Sequence, residues 1–258
     1  MTARARQAGK DRALATTRAG RVALNRALSK LGVLSRSEAT AAVLNGRVRV
    51  AGRVEDRPAR LVVPEEARLE LDGRRLSRAA WRSIILYKPR GVLTTKRDPE
   101  GRPTVYEGLG AAARGLRAVG RLDRATSGLL LLTTDSRLAN WILDPAVGIA
   151  RVYLTTVRGR VSTDDVATML SGMGQGRDRL WAAAVRVVKQ SGRESQLLIE
   201  LREGRNREVR RLCEAAGHEV TRLTRVGLGG LELGRLKPGE WREVTRAELR
   251  HAFPGAPL

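Results

Sequence analysis

Apolar and polar positions follow two different periods along this chain. Leu24, Leu28 and Leu31 recur at i, i+4 and i+7, one face of a helix that Gly32 would end. Ser35 followed by Glu38 reads as a capping box opening a second helix, and Asn45-Gly46 supplies a left-handed stop for it. The next residues, "RVRV" at 47–50, alternate charged and apolar side chains as a half-buried strand does, with Ala51-Gly52 as a turn. Residues 65–80 mix charged and small side chains and read as the end of this module and a connection. Beyond Trp81 the pattern changes. "RSIILY" (82–87), "GVLTT" (91–95), "GLLLLTT" (128–134), "VYLTTV" (152–157), "AVRVV" (184–188) and "QLLIEL" (196–201) predict strands, and 135–143 and 206–216 predict helices. Strands outnumber helices and do not alternate regularly with them. That predicts an α+β fold on a mostly antiparallel mixed sheet with two or three flanking helices. The "GMGQG" segment at 172–176 is a flexible loop, since no GK[ST] follows to make it a phosphate loop.

Composition adds a partner. The chain has 258 residues, 42% of them hydrophobic, enough for one or two folded domains. Its formal charge of +22 suits a polyanion, with nucleic acid the default. Six lysines stand against 43 arginines, a preference that a GC-rich coding sequence explains; the excess of positive over negative charge it does not. In the first module the outward positions are basic: Arg26, Lys30, Arg36, Arg47, Arg49 and Arg53. Aromatic residues are only 3%, which argues against recognition by a sheet of stacked aromatics. A single cysteine, Cys213, excludes an intramolecular disulfide and a cysteine-rich zinc site, and two histidines make a histidine metal site improbable. A reducing cytoplasm fits. No apolar run approaches membrane-spanning length. Residues 1–20 lack the apolar region of a secretory signal and read as a disordered basic arm, with an organellar transit peptide the less favoured alternative because serine is absent there.

Three segments could carry chemistry. In "GRLDRATSGLLLLTTD" (120–135), Asp123 sits between Arg121 and Arg124 in a loop at the mouth of a buried strand. A carboxylate there is placed to act on something lying across the sheet, but residue chemistry alone leaves an ion-paired loop aspartate as the commoner case. "RVYLTTVRG" (151–159) puts Tyr153 in a strand, where a core tyrosine is the ordinary reading. In "EGRNREVRRLCEAAGHEV" (203–220), Val209, Leu212, Cys213 and Ala216 make an apolar helix stripe. Arg205, Arg207, Arg210 and Arg211 crowd its first turns and oppose the helix dipole, a conflict that a nearby phosphate or carboxylate would relieve.

The stretch Leu24–Val54, with "SR-SEA" at the second helix start and "NGRVRVAG" at the hairpin, resembles the S-four RNA-binding domain. The segment 120–135 resembles the signature of pseudouridine synthases of the RsuA and RluB type. "LYKPRGVLTT" (86–95), "RVYLTTVRG" and 203–245 are similar to three further motifs of that family, in the same order. The resemblance covers roughly residues 21–246. It implies a uridine isomerase acting on a flipped-out base of ribosomal RNA, with Asp123, Tyr153 and Arg210 in the catalytic positions and Arg210 pairing with the Asp123 carboxylate. It also implies RNA contacts from the six basic residues of the first module and from Lys88, Arg121, Arg124, Arg205, Arg207 and Arg211. The chemistry needs neither a metal nor a redox cofactor. Arg151, Glu208, Leu212 and Asp144 depart from the commoner family residues without touching that trio; Glu208 could pair with a neighbouring arginine.

The expected organisation is a basic arm at 1–20, an S-four-like domain at 21–78, a pseudouridine synthase domain at 81–250 and a C-terminal tail at 251–258. The expected partner is ribosomal RNA or a ribosome-assembly intermediate, met by a cytoplasmic monomer away from any membrane. Residues 94–109 resemble the large-subunit branch more than the small-subunit branch. A non-catalytic RNA-binding or ribosome-assembly factor is the competing reading, because the charge and the first module fit it equally well.

Overall fold

A computed structural model of the chain describes residues 20–258 except 65, 78, 79 and 175. The expected basic arm at 1–20 lies almost wholly outside the described residues. The chain divides into two compact units, with the boundary between Ala80 and Trp81.

In the first unit, strand β1 (Val22–Ala23) leads into helix α1 (Leu24–Lys30), followed by α2 (Arg36–Leu44). The capping box forms as the sequence predicts. The Glu38 N–H donates to Ser35 Oγ at 3.2 Å and the Ser35 N–H donates to Glu38 Oε2 at 2.8 Å. Strands β2 (Val48–Val50), β3 (Arg53–Val54), β4 (Leu61–Val62), β5 (Leu69–Leu71) and β6 (Arg74–Arg75) follow. They form a sheet in the order β3-β2-β5-β6, while β4 pairs with β1. Val48 and Val50 point into a core with Leu24, Leu28, Leu31, Ala39, Val43 and Leu69, which leaves Arg47 and Arg49 on the outer face.

The second unit is built on β7 (Ser83–Lys88), β8 (Arg117–Ala118), β9 (Ser127–Thr133), β10 (Arg151–Arg158), β11 (Ala184–Gln190), β12 (Glu194–Leu201), β13 (Val220–Leu228), β14 (Leu231–Glu232) and β15 (Trp241–Glu243). The main order is β11-β12-β10-β13-β9-β7-β15, with β14 on β13 and β8 on β9. Every pairing is antiparallel except β13 with β9. The helices are α3 (Val105–Leu109), α4 (Ser136–Leu143), α5 (Thr163–Ser171), α6 (Glu208–Ala215) and α7 (Arg246–Ala252). This is the α+β architecture with a mostly antiparallel mixed sheet that the pattern predicts.

The four leucines of β9 are all fully buried because the sheet is covered on both faces. Leu129 and Leu131 pack with Ile85, Leu138, Ile142 and Phe253 on one side. Leu130 and Leu132 pack with Ile84, Leu86, Val105 and Leu122 on the other. A separate core joins Val209, Leu212 and Cys213 of α6 to Val157, Leu197, Ile199 and Leu223 of β10, β12 and β13.

Some elements differ from expectation. Residues 91–95 are not a strand: only Leu93 forms a bridge, to Thr104. The apolar pattern does not single out strand β13, because Arg222 and Arg225 break its run, although the resemblance of residues 203–245 extends to C-terminal strands there. Five helices occur here among the described residues, more than predicted, since α3 and α7 are too short to show a periodic stripe. The closing residues are not a loose tail: α7 runs to Ala252, and Phe253 is 1% exposed in the core.

Candidate active site

Asp123 lies in the loop between β8 and β9, and every backbone carbonyl from Leu122 to Thr126 has a partner. Thr94 Oγ1 donates to the Leu122 carbonyl at 3.0 Å. The Thr126 N–H donates to the Asp123 carbonyl at 3.0 Å and the Gly91 N–H to the Arg124 carbonyl at 2.7 Å. Arg210 Nη2 reaches the Ala125 carbonyl at 3.4 Å, and Lys88 Nζ donates to the Thr126 carbonyl at 2.7 Å. Each such bond nets only about 1 kcal/mol, so the fixing comes from having them on consecutive residues. The 91–95 segment is spent on this task, which accounts for its failure to join the sheet.

The side chain of Asp123 is half-buried and takes part in no ion pair among the described residues. It lines an open cleft of about 680 Å³, within the range of about 300–1,000 Å³ that suits a small organic group. Tyr153 and Arg225 share the cleft. Tyr153 stands opposite Arg225 in the β10–β13 ladder, next to a register shift between Val152 and Tyr153. Such a bulge re-aims the side chain beside it. The ring packs against two of the cores, where the halves of the sheet meet.

Arg210 does not form the expected ion pair with Asp123. Its Nη1 donates to the Val220 carbonyl at 2.9 Å and its Nη2 to Ala125. Burial, together with the charges of Arg207 and Arg90, pulls Arg210 below the ordinary arginine value, and Asp123 opposes that shift. The two groups therefore meet through their fields and the loop backbone. Of the sequence-derived trio, Asp123 and Tyr153 line one cleft, whereas Arg210 does not line it and holds the Asp123 loop through the Ala125 carbonyl.

Lys88 is a correction. The sequence placed it among RNA contacts, but it is 0% exposed and its ammonium donates to the carbonyls of Pro89 and Thr126. A lysine so enclosed cannot meet a phosphate; it braces the Asp123 loop. Arg121 and Arg207 are exposed on the cleft wall, and Arg205 is half-exposed there beside Glu203. Arg124 and Arg211 are exposed but do not line the cleft. In the first unit Arg26, Arg36, Arg49 and Arg53 are exposed and Lys30 half-exposed, while Arg47 is bridged to Asp72 at 2.6 Å.

Burial pushes the Lys88 ammonium from 10.5 down to about 8, a fall that Asp123 partly opposes. The unfolded chain holds that proton to a higher pH. Folded protein therefore binds fewer protons between about pH 8 and the ordinary lysine value, and stability rises with pH across that window by up to about 1.4 kcal/mol per unit. Below about pH 8 the unfavourable contribution is present in full. The melting temperature of wild type relative to Lys88→Met is expected to rise between about pH 7.5 and about pH 10. A pH-independent difference would count against an enclosed ammonium.

Sequence reasoning missed Arg225 and gave Arg151 and Glu208 no site role. All three line the cleft and are buried. Arg151 Nη1 donates to the Ile149 carbonyl at 2.7 Å. Glu208 accepts the backbone N–H of Arg205 at 3.1 Å, and burial raises its pKa. The signal for Arg225 was available: a charged residue at an inward position of an otherwise alternating strand, in "VTRLTRVGL".

Residues 82–215 match the family described as RNA pseudouridylate synthase, and residues 20–67 match the S4 domain. Ribosomal large subunit pseudouridine synthase B of Yersinia pestis is 41% identical over 86% of this chain and 72% of its own length. An uncharacterized RNA pseudouridine synthase of Aquifex aeolicus is 39% identical over 92% of this chain and 96% of its own. A solved structure described as a crystal structure of pseudouridylate synthase superposes with a TM-score of 0.65 at 25% identity, covering 90% of this chain and 99% of that one.

Proposed function

Because this chain belongs to the RNA pseudouridylate synthase family and carries an S4 domain at residues 20–67, we propose that it converts a uridine of large-subunit ribosomal RNA to pseudouridine. The observation that carries the reading is Asp123: a carboxylate outside every described ion pair, on a fully bonded loop, in a cleft shared with Tyr153. The large-subunit assignment follows the relative of that description and agrees with the 94–109 segment.

The isomerisation breaks the bond between ribose C1′ and uracil N1, turns the ring, joins C1′ to C5, and releases the C5 proton. Asp123 serves either by attacking C1′ or by taking a ribose proton to give a glycal, and both routes need an ionised, accessible carboxylate. The target uridine must leave its stack to reach the cleft. Tyr153 lies against the flipped base and is placed to help remove the C5 proton. Arg210 and Lys88 hold the loop from behind. Arg121, Arg205 and Arg207 meet phosphates at the cleft walls, where contacts position the RNA without choosing its sequence. The enzyme acts as a cytoplasmic monomer.

Chemical mapping of pseudouridine in ribosomal RNA from a deletion strain tests this. Loss of a modified large-subunit site, restored by the wild-type gene, is the expected result. Assembly defects with every modified site intact would favour a non-catalytic assembly factor.

The first unit makes a separate prediction. Arg26, Lys30, Arg36 and Arg53 have no side-chain ion pair among the described residues, whereas Arg47 is already neutralised by Asp72. Changing those four to Gln is expected to lower the slope of log affinity against log salt by about 3, at about 0.7–0.9 per lost phosphate contact. Arg47→Gln should change it much less. Equal effects per residue would show that the Asp72 pair opens on RNA.

A further inference from the structure

Arg225 sits on β13 between Gly128 of β9 on one side and Tyr153 of β10 on the other. It lines the cleft although it is only 3% exposed. Its Nε donates to the Leu129 carbonyl at 2.8 Å, while Nη2 is buried with no hydrogen-bond partner. A buried donor left unmade costs about 1–3 kcal/mol, and more when it is charged. No ion pair reaches Arg225 among the described residues. The neighbouring buried guanidinium, Arg151, is repelled by it. Glu208, buried on the same cleft, is engaged by the Arg205 backbone. The fold thus keeps a cation dry, incompletely bonded and beside a like charge.

Which part of an RNA would satisfy it follows from depth. Phosphates are strongly hydrated and suit the exposed guanidiniums of Arg121 and Arg207. The enclosed position beside Tyr153 suits a planar ring with carbonyl acceptors. We propose that Arg225 is a further catalytic residue, whose guanidinium donates to a carbonyl oxygen of the flipped uracil and stabilises the charge that ring gains as its bond to the ribose breaks. This rests on the pseudouridine synthase reading above. When C1′–N1 breaks, the electron pair stays on the base and spreads from N1 onto the ring oxygens. Arg225 transfers no proton; its hydrogen bond strengthens as the charge grows and relaxes once C5 bonds to C1′.

The test uses the full-length protein and a synthetic RNA built around the mapped uridine, carrying uridine, 2-thiouridine or 4-thiouridine there. Sulfur is a poorer acceptor than oxygen. Under single-turnover conditions Arg225→Met is expected to slow conversion of the uridine RNA by about 10²-fold or more at unchanged RNA affinity, with Arg225→Lys recovering part of the loss. One of the two thio substrates should slow wild type and slow Arg225→Met no further. Wild-type rates in Arg225→Met would overturn the proposal, as would losses that multiply for both thio substrates. If Arg225→Met fails to fold, the wild-type series decides alone: full rates with both thio substrates overturn it. Wild type that makes no pseudouridine sinks the underlying reading and this inference together, whereas active wild type with an inert Asp123→Asn and a fully active Arg225→Met removes this inference only.

Discussion

Replacing Asp123 by Asn is expected to abolish pseudouridine formation, by about 10⁴-fold or more, with RNA affinity unchanged within about twofold. The substitution keeps the size and planarity of the side chain and removes the charge. The loop should survive it, because that loop is held by backbone carbonyls from Leu122 to Thr126 and the Asp123 side chain supports no described ion pair. A carboxamide neither attacks C1′ nor takes a ribose proton, so both routes stop. Tritium release from RNA labelled at uracil C5 measures the loss, and filter binding measures the affinity. Release at the wild-type rate would remove Asp123 from the chemistry. Lost binding with an intact melting temperature would make it an RNA contact instead.

The second large effect concerns a residue with no functional group. Gly128 has φ of +108°, and a Cβ there would lie 2.2 Å from the Arg225 carbonyl oxygen, 2.6 Å from its N and 2.9 Å from its C. All three are backbone atoms of the paired strand and cannot swing aside. Strands β9 and β13 meet in only two register pairs, Thr224 with Ser127 and Arg225 with Gly128. That seam joins the half of the sheet carrying Asp123 to the half carrying Tyr153 and Arg225. Gly128→Ala is expected to cost about 3–5 kcal/mol, from overpacking and backbone strain together, and to lower the melting temperature by about 10 °C. Activity measured well below the new melting temperature should fall further than stability does, because the seam sets the distance across the cleft. Gly101→Ala is the control: it also has positive φ (+69°) but nothing within 4 Å, and about 1–2 kcal/mol is expected. Equal losses in the two variants would mean that only the dihedral matters.

Much of this architecture is legible from local pattern. The Ser35–Glu38 box, the Leu24–Leu28–Leu31 stripe and the α6 stripe are satisfied within a few residues, so spacing alone reveals them. The leucines of β9 mark a central strand because both faces of the sheet are covered. The position of Asp123 was legible only as a loop at a strand mouth. What sequence could not supply was who holds that loop, because the donors come from β7, residues 91–94 and α6. Lys88 shows the cost. A lysine in a basic chain reads as a phosphate contact, and nothing nearby announces that two carbonyls will enclose it. Arg225 shows the converse: its charge concealed strand β13, although its side chain is buried.

The strand order also dictates when this protein can become active as it is made. Strand β7 is the first of the second unit to leave the ribosome, yet its edge partner β15, at Trp241–Glu243, is the last. The seam partner of β9 emerges only at Thr224–Arg225, about a hundred residues after Asp123. Early strands must therefore wait with open edges, and long-range pairings of this kind form slowly. Until β13 docks, Asp123 has no Tyr153–Arg225 wall opposite it, so a partly synthesised chain can hold RNA through its first unit well before it can rearrange a base.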